Sequence, residues 1–130
     1  MFTLDQIHQA ASKIKSGADF PQYVQDLKSI GVSHYDNYVS DGRTNYFGSN
    51  GYTLNGEPKY PLLAINASGS EEKLKLALSI HQAGQTDYMT FCRQAAEAGI
   101  EKWTTDMISL KVTYFDIIGN EVVVEAIPQP

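Results

Sequence analysis

The chain is poor in sulfur, in histidine and in positive charge, and each shortage removes a class of function. A single cysteine in 130 residues, Cys92, excludes an internal disulfide framework and a cysteine-rich zinc site. The three histidines, His8, His34 and His81, lack the His-x-x-x-His or Glu-x-x-His spacing that sets ligands on one helical face, so no metal is expected. Lys and Arg total 10 against 15 Asp and Glu, a net charge of −5. That balance repels a phosphate backbone, and no basic cluster offers a local exception, so nucleic acid is not an expected partner. No apolar run approaches the ~20 residues of a membrane span, and the opening MFTLDQIHQAA has neither the basic nor the apolar region of an export signal. A cytoplasmic protein away from the membrane is expected. Gly48-Ser49-Asn50-Gly51 is not followed by the Lys-Ser/Thr and helix of a phosphate loop. Neither a nucleophile elbow nor a dinucleotide fingerprint is present, and no cofactor is expected.

What remains is a folded composition, 42% hydrophobic and 19% charged, at a length suited to one domain over residues 1–130. It also carries an internal echo. Asp19 to Tyr35 (DFPQYVQDLKSIGVSHY) is answered without a gap by Asp87 to Trp103 (DYMTFCRQAAEAGIEKW), at a constant offset of 68 residues. Phe20 meets Tyr88, Tyr23 meets Phe91, Gly31 meets Gly99 and Tyr35 meets Trp103. Each copy reads as cap, amphipathic helix, stop glycine and strand. Duplication produces such an echo, and so do shared local rules for capping and stopping a helix.

Thr3-Leu4-Asp5-Gln6 has the spacing of a capping box, and Leu4, Ile7, Ala11 and Ile14 then share a helical face that should end near Gly17. Asp19 should cap a second helix, with Pro21 in its first turn and Phe20, Tyr23, Val24, Leu27 and Ile30 buried. After Gly31 the pattern turns extended. The pairs Asp41-Gly42, Asn50-Gly51 and Asn55-Gly56 suit type I′ turns and place strands at about 32–40, 43–49 and 52–54, with a short strand possible over 62–65. Ser68-Gly69-Ser70-Glu71 resembles a second capping box, opening a helix through Leu74, Ala77, Leu78 and His81. Thr86 or Asp87 caps the next, and strands follow at roughly 100–106, 109–116 and 121–127. The expected fold is α+β: two consecutive units, each a helix pair plus an antiparallel three-stranded meander, over about 3–65 and 68–127, packed as one domain.

Three sets of residues are candidates for chemistry. His81, Cys92 and Asp87 form the candidate catalytic group, a base, a thiol and a carboxylate that folding between the two halves could bring together, although their spacing matches no catalytic signature. Cys92 lies on the apolar stripe of its helix, where a thiol acts as a small hydrophobe with a raised pKa. A two-residue turn at Asp41-Gly42 would pair Tyr38 with Asn45 and Asp36 with Phe47, collecting His34, Tyr38, Arg43, Asn45 and Phe47 on one face as a binding surface. The third set is aromatic, because Tyr35, Tyr38, Tyr46, Tyr52 and Tyr60, out of 8 Tyr, concentrate with Phe47 in the first meander and its exit, where they suit strands and interfaces alike. The leading expectation is a non-enzymatic module that binds a protein through this Tyr-rich face. The alternative is a small-ligand binder or enzyme with its site between the halves. Pairing of exposed sheet edges makes a homo-oligomer possible.

The run His81-Gln82-Ala83-Gly84-Gln85-Thr86-Asp87-Tyr88, followed by Thr90-Phe91-Cys92-Arg93-Gln94-Ala95-Ala96-Glu97-Ala98-Gly99-Ile100-Glu101-Lys102-Trp103, resembles the YdfO-like proteins. So do Lys15-Ser16-Gly17-Ala18-Asp19-Phe20 through Tyr23, and Gly119-Asn120-Glu121-Val122. The resemblance implies a small bacterial cytoplasmic protein of uncharacterised function, often carried by prophages, and the partner expected for the Tyr-rich face is a host or phage protein. It supplies no catalytic residues.

Overall fold

Helix α1 (Leu4–Ala11) starts where its capping box requires. The Thr3 side chain accepts from the Gln6 N–H, and Gln6 Oε1 accepts from the Thr3 N–H. In the computed structural model, which describes residues 1–15 and 17–130, the helix stops at Ala11, earlier than the expected Gly17, because the backbone turns through Ser12 instead of continuing. Ile14 therefore leaves the apolar stripe and is partly exposed. Ser16, part of the opening run of the resemblance, lies outside the described residues. Asp19 stands at the N-cap of α2 (Phe20–Ser29), but its side chain does not cap the helix and accepts from the Lys15 N–H instead. Val24 and Leu27 are fully buried on the inner face of α2.

Strands β1 (His34–Tyr38), β2 (Thr44–Phe47) and β3 (Thr53–Asn55) follow. The first hairpin departs from the expected two-residue turn. Pairing runs His34 with Phe47 and Asp36 with Asn45, and the Tyr38 N–H donates to the Arg43 carbonyl across a four-residue loop, 39–42. The register differs by two residues from that expected. Because the side-chain period is also two, every residue keeps its face. Asn50 and Gly51 do take the two positive φ angles, 57° and 74°, that a type I′ pair requires. Asn55-Gly56 does not turn; the Gly56 N–H donates to the Thr44 carbonyl and prolongs the edge pairing. No strand forms over 62–65, where Pro61 and an exposed Leu62 interrupt the pattern.

Helix α3 (Glu71–Gln82) is capped by Ser70, not Ser68, and α4 (Tyr88–Glu97) by Asp87, whose carboxylate accepts from the Thr90 N–H at 2.8 Å. Strands β4 (Ile100–Asp106), β5 (Lys111–Asp116) and β6 (Glu121–Ala126) close the chain. The fold is thus mixed α+β. Whether the two expected meanders share a sheet is a matter that local pattern leaves open, and the strands make one six-stranded antiparallel sheet in the order β3-β2-β1-β4-β5-β6. The first strand of each half would otherwise be an edge with unpaired N–H and C=O groups, and β1 pairs with β4 from His34–Asp106 to Tyr38–Lys102. At the middle of that ladder Asp36 faces Thr104, 68 positions further on, and the Thr104 hydroxyl donates to Asp36 Oδ1 at 2.6 Å.

The helices pair as α1 with α2 and α3 with α4. Side chains alternate along each strand, so Tyr35, Tyr46, Trp103, Thr105, Val112 and Tyr114 point from the sheet towards the helices. Val24, Leu27, Leu74, Cys92, Ala95 and Ala98 complete the buried core.

Gly31 and Gly99, partners in the echo, both end a helix with positive φ, 105° and 82°. Their surroundings differ. A Cβ on Gly31 meets only the Phe2 ring at 3.9 Å, whereas one on Gly99 collides with the Ser68 carbonyl and the Gly69 Cα. Gly31→Ala should cost about 1 kcal/mol, the penalty for a left-handed alanine, and Gly99→Ala roughly 3 kcal/mol or more because backbone must also move. Urea unfolding of both variants checks the order. Equal losses would mean that the segment before α3 yields freely.

Candidate functional site

The two helical hairpins do not meet over the centre of the sheet. Between them lies a half-open cleft of about 570 Å³, within the usual range of small-molecule sites. One wall is Ala11, Ile14, Phe20 and Tyr23 from the first hairpin, and the other is Leu78, His81, Gln82, Tyr88 and Phe91 from the second. The floor is the inner face of the sheet: Tyr35 and Asn37 on β1, Thr44 and Tyr46 on β2, Trp103 and Thr105 on β4, and Val112 and Tyr114 on β5. Lys59 and Glu125 also line it.

The rings form a continuous belt. Trp103 lies edge-on to Phe91 at 5.7 Å between centroids and to Tyr88 at 6.4 Å, and Tyr114 follows at 5.8 Å. On the other side Tyr35 and Tyr46 are 5.7 Å apart. Such contacts hold each ring by its neighbours, so the aromatic surface is formed before any ligand arrives.

Polar groups on the floor are linked across elements. Asn37 Nδ2 donates to the Tyr88 hydroxyl at 2.7 Å, and the Thr44 hydroxyl donates to Asn37 Oδ1. Tyr114 donates to Glu125 at 3.3 Å. Burial pushes the Tyr23 phenol well up, and the neighbouring Tyr35 and Tyr46 add to it. Burial raises Tyr46 as well, against the opposing influence of Thr44 and Tyr23. Tyr35 is pushed up to about 12, mainly by burial and in spite of Thr105. All of these phenols are neutral hydrogen-bond donors at physiological pH. Thr105 is fully buried, and its Oγ1 lies close enough to Tyr35 to oppose the rise of that phenol's pKa yet outside hydrogen-bond geometry with any partner.

The structure distributes the sequence-predicted residues over three places. His81 lines the cleft, stacked on Phe91 at 4.9 Å, with Nδ1 3.1 Å from the Thr86 carbonyl. Asp87 is exposed and occupied as the helix cap; the Thr90 hydrogen bonds hold its carboxyl below the usual range. Cys92 is fully buried. Burial raises its thiol pKa although Tyr60, Tyr88 and Lys59 work against that. A thiol so placed is mostly protonated at neutral pH and is a poor nucleophile.

The five predicted binding residues do gather, on the sheet face away from the helices. His34 stacks on Phe47 at 4.4 Å, and the Arg43 guanidinium sits 4.1 Å above the Tyr38 ring. Asn45 stands opposite Asp36. β4 adds a residue that sequence reasoning missed, because Lys102 lies 3.5 Å from Asp36 and 5.4 Å from the Phe115 ring centre. Arg43 is paired in turn with Asp41 at 2.8 Å. Burial alone would raise the Asp41 carboxyl, but the Arg43 N–H and guanidinium hold it below its usual value. The charges on this face are therefore matched locally.

Among the described residues no group of three or more His, Cys, Asp and Glu side chains is placed to hold a metal ion, and no helix is long and apolar enough to cross a membrane. A family model described as "Protein of unknown function (DUF1398)" matches residues 8–126. The chain is also similar to the uncharacterised protein YcgX of Escherichia coli (strain K12), with 22% identity over 113 residues that cover 87% of this chain and 84% of the relative.

The raised Tyr35 pKa has a consequence for stability. Between the ordinary phenol value of 10.0 and about 12, the unfolded chain releases the Tyr35 proton and the folded chain keeps it. The unfolded state then binds fewer protons, so stability falls as pH rises above 10 and is unaffected below it. Tyr35→Phe should make this alkaline fall shallower, as read from urea midpoints at pH 8 and about pH 11. A variant whose midpoint drops as steeply as the parent's would show that Tyr35 ionises normally in the fold.

Proposed function

This chain belongs to the DUF1398 family of proteins of unknown function, and from that premise we propose that it is a small-molecule-binding domain whose site is the cleft between the helical hairpins. One observation carries the reading: a half-open volume of about 570 Å³, walled by rings that already brace one another and floored by a few hydrogen-bonding groups, is the common form of a ligand site. The catalytic version has less support. Cys92 is shut in the core, and Asp87 serves as a helix cap. His81 alone of the three faces the cleft.

The position of the cleft also supports reading the two halves as copies of one unit. The echo offset of 68 residues equals the separation of Asp36 and Thr104, which face each other where β1 crosses β4. A two-fold relation through that pair exchanges the hairpins and leaves the space between them on the axis. Docking of a host or phage protein on the outer sheet face is the second reading, favoured by the partly exposed Tyr38 and Phe47 rings. The mobile-element setting implied by the YdfO-like resemblance suits either.

Thermal denaturation against a panel of neutral aromatic compounds tests the proposal. A compound present at about 100 times its Kd should stabilise the fold by about 2.7 kcal/mol. Ala11→Phe, which fills the cleft from α1, should abolish that shift without lowering the melting temperature of the free protein. The combined Tyr38→Ala, Arg43→Ala and Phe47→Ala variant should keep it. Ligand shifts that survive Ala11→Phe and vanish in the triple variant would move the site to the outer face.

A further inference from the structure

Thr105 is the group on the cleft floor that the fold leaves unexplained. It is fully buried, it lines the cleft, and its Oγ1 completes no hydrogen bond. An unpaired buried hydroxyl destabilises a protein, and valine at the same place would have nearly the same shape without the penalty. Directly across the β1–β4 ladder stands Tyr35, which shares the floor with Tyr46, and Tyr23 of the adjoining wall interacts with both phenols. Several O–H donors thus converge on one patch of the cleft.

We propose that this patch receives the carbonyl oxygen of a neutral, planar, largely apolar ligand, with Thr105 and Tyr35 donating to the oxygen while the aromatic belt around Trp103 and Phe91 covers the ring. The inference rests on the cleft reading above. A carbonyl oxygen has two lone pairs and no proton, so it complements two hydroxyl donors. A carboxylate fits less well. The cation that lines the cleft, Lys59, is exposed, and a charge desolvated without a partner is costly. An organic cation fits less well too, because donors point their hydrogens at it and Glu125 is already engaged by Tyr114 and Gln82 at 3.3 Å each. The raised pKa values of the Tyr35 and Tyr23 phenols agree with a site that keeps its protons and donates them.

The test uses three probes of one size: acetophenone, ethylbenzene, which lacks the oxygen, and benzoate, which carries a charge. Binding to the full chain is followed by amide and indole chemical shifts, with the indole N–H of Trp103, the single tryptophan, reporting the cleft. Acetophenone should bind more tightly than ethylbenzene by roughly tenfold, and Thr105→Val should remove about that factor while leaving ethylbenzene unchanged. The same variant should raise the melting temperature of the free protein by roughly 2–4 °C, since it deletes an unsatisfied group. Tyr35→Phe provides a second removal of one donor, with the ring kept. Loss of ketone affinity together with a gain in stability marks a ligand group, because a purely structural hydroxyl would lose both. Equal affinity for acetophenone and ethylbenzene, tighter binding of benzoate, or an unchanged ratio in Thr105→Val overturns the carbonyl assignment while leaving the cleft as a site. Failure of all three probes to shift the Trp103 indole overturns the cleft reading itself.

Discussion

The pairing of β1 with β4 is the constraint on which the rest depends. Either half alone is a helix pair and three short strands whose first strand is an unsatisfied edge. Joining those edges satisfies both backbones at once and fixes the relative position of everything attached to them. The Thr104–Asp36 hydrogen bond and the Lys102–Asp36 ion pair lie on the outer side of this seam, while Tyr35, Trp103 and Thr105 stand on its inner side. The seam therefore fixes the distance between the two helical hairpins, and the cleft is the space that this distance leaves unfilled. Packing costs usually close such gaps. Here aromatic rings line it, each supported by a neighbour, which keeps the walls apart without a ligand.

Much of this was legible from local rules. Thr3 with Gln6, Asp87 before Tyr88, and Gly31 and Gly99 after their helices each follow from the chemistry of one turn, and all stand where the pattern puts them. The strands β4, β5 and β6 also follow from period-two alternation. Errors appeared where a nearby side chain outcompeted the local signal. Asp41-Gly42 looks like a two-residue turn, yet Asp41 accepts from the Arg43 N–H and guanidinium, and its carbonyl accepts from the N–H groups of Lys59 and Tyr60. Those bonds favour a four-residue loop. Asn55-Gly56 likewise gives up its turn to pair with Thr44.

The candidate site was only half visible. The outer-face set His34, Tyr38, Arg43, Asn45 and Phe47 could be gathered by sheet parity, because parity survives a two-residue change of register. Its partner Lys102 could not, since no local rule says which strand follows β1 in the sheet. The cleft was beyond reach for the same reason. Its residues come from α1, α2, α3, α4 and five strands, and only the long-range order of the sheet sets them around one volume. The one available signal was the echo itself: Tyr23 answers Phe91, and Tyr35 answers Trp103. All four face the cleft, so the matched aromatic positions pointed at a shared surface before the surface had a location.

Each face of the sheet carries a buried polar atom without a hydrogen bond, Asn45 Oδ1 outside and Thr105 Oγ1 inside, so the space and the charges around that atom decide between the rival surfaces. Outside, Arg43 is held by Asp41 and Tyr38, and Lys102 by Asp36, so a partner would have to displace existing contacts before gaining new ones. Inside, the hydroxyl of Thr105 lacks a partner at the floor of a cleft large enough to admit a ligand. Natural cores carry few such groups, because valine is an easily reached substitute for threonine and removes the penalty. An unspent donor at the floor of an aromatic cleft costs stability in the free protein. Ligand binding recovers that loss, which makes the inner face the better place for recognition.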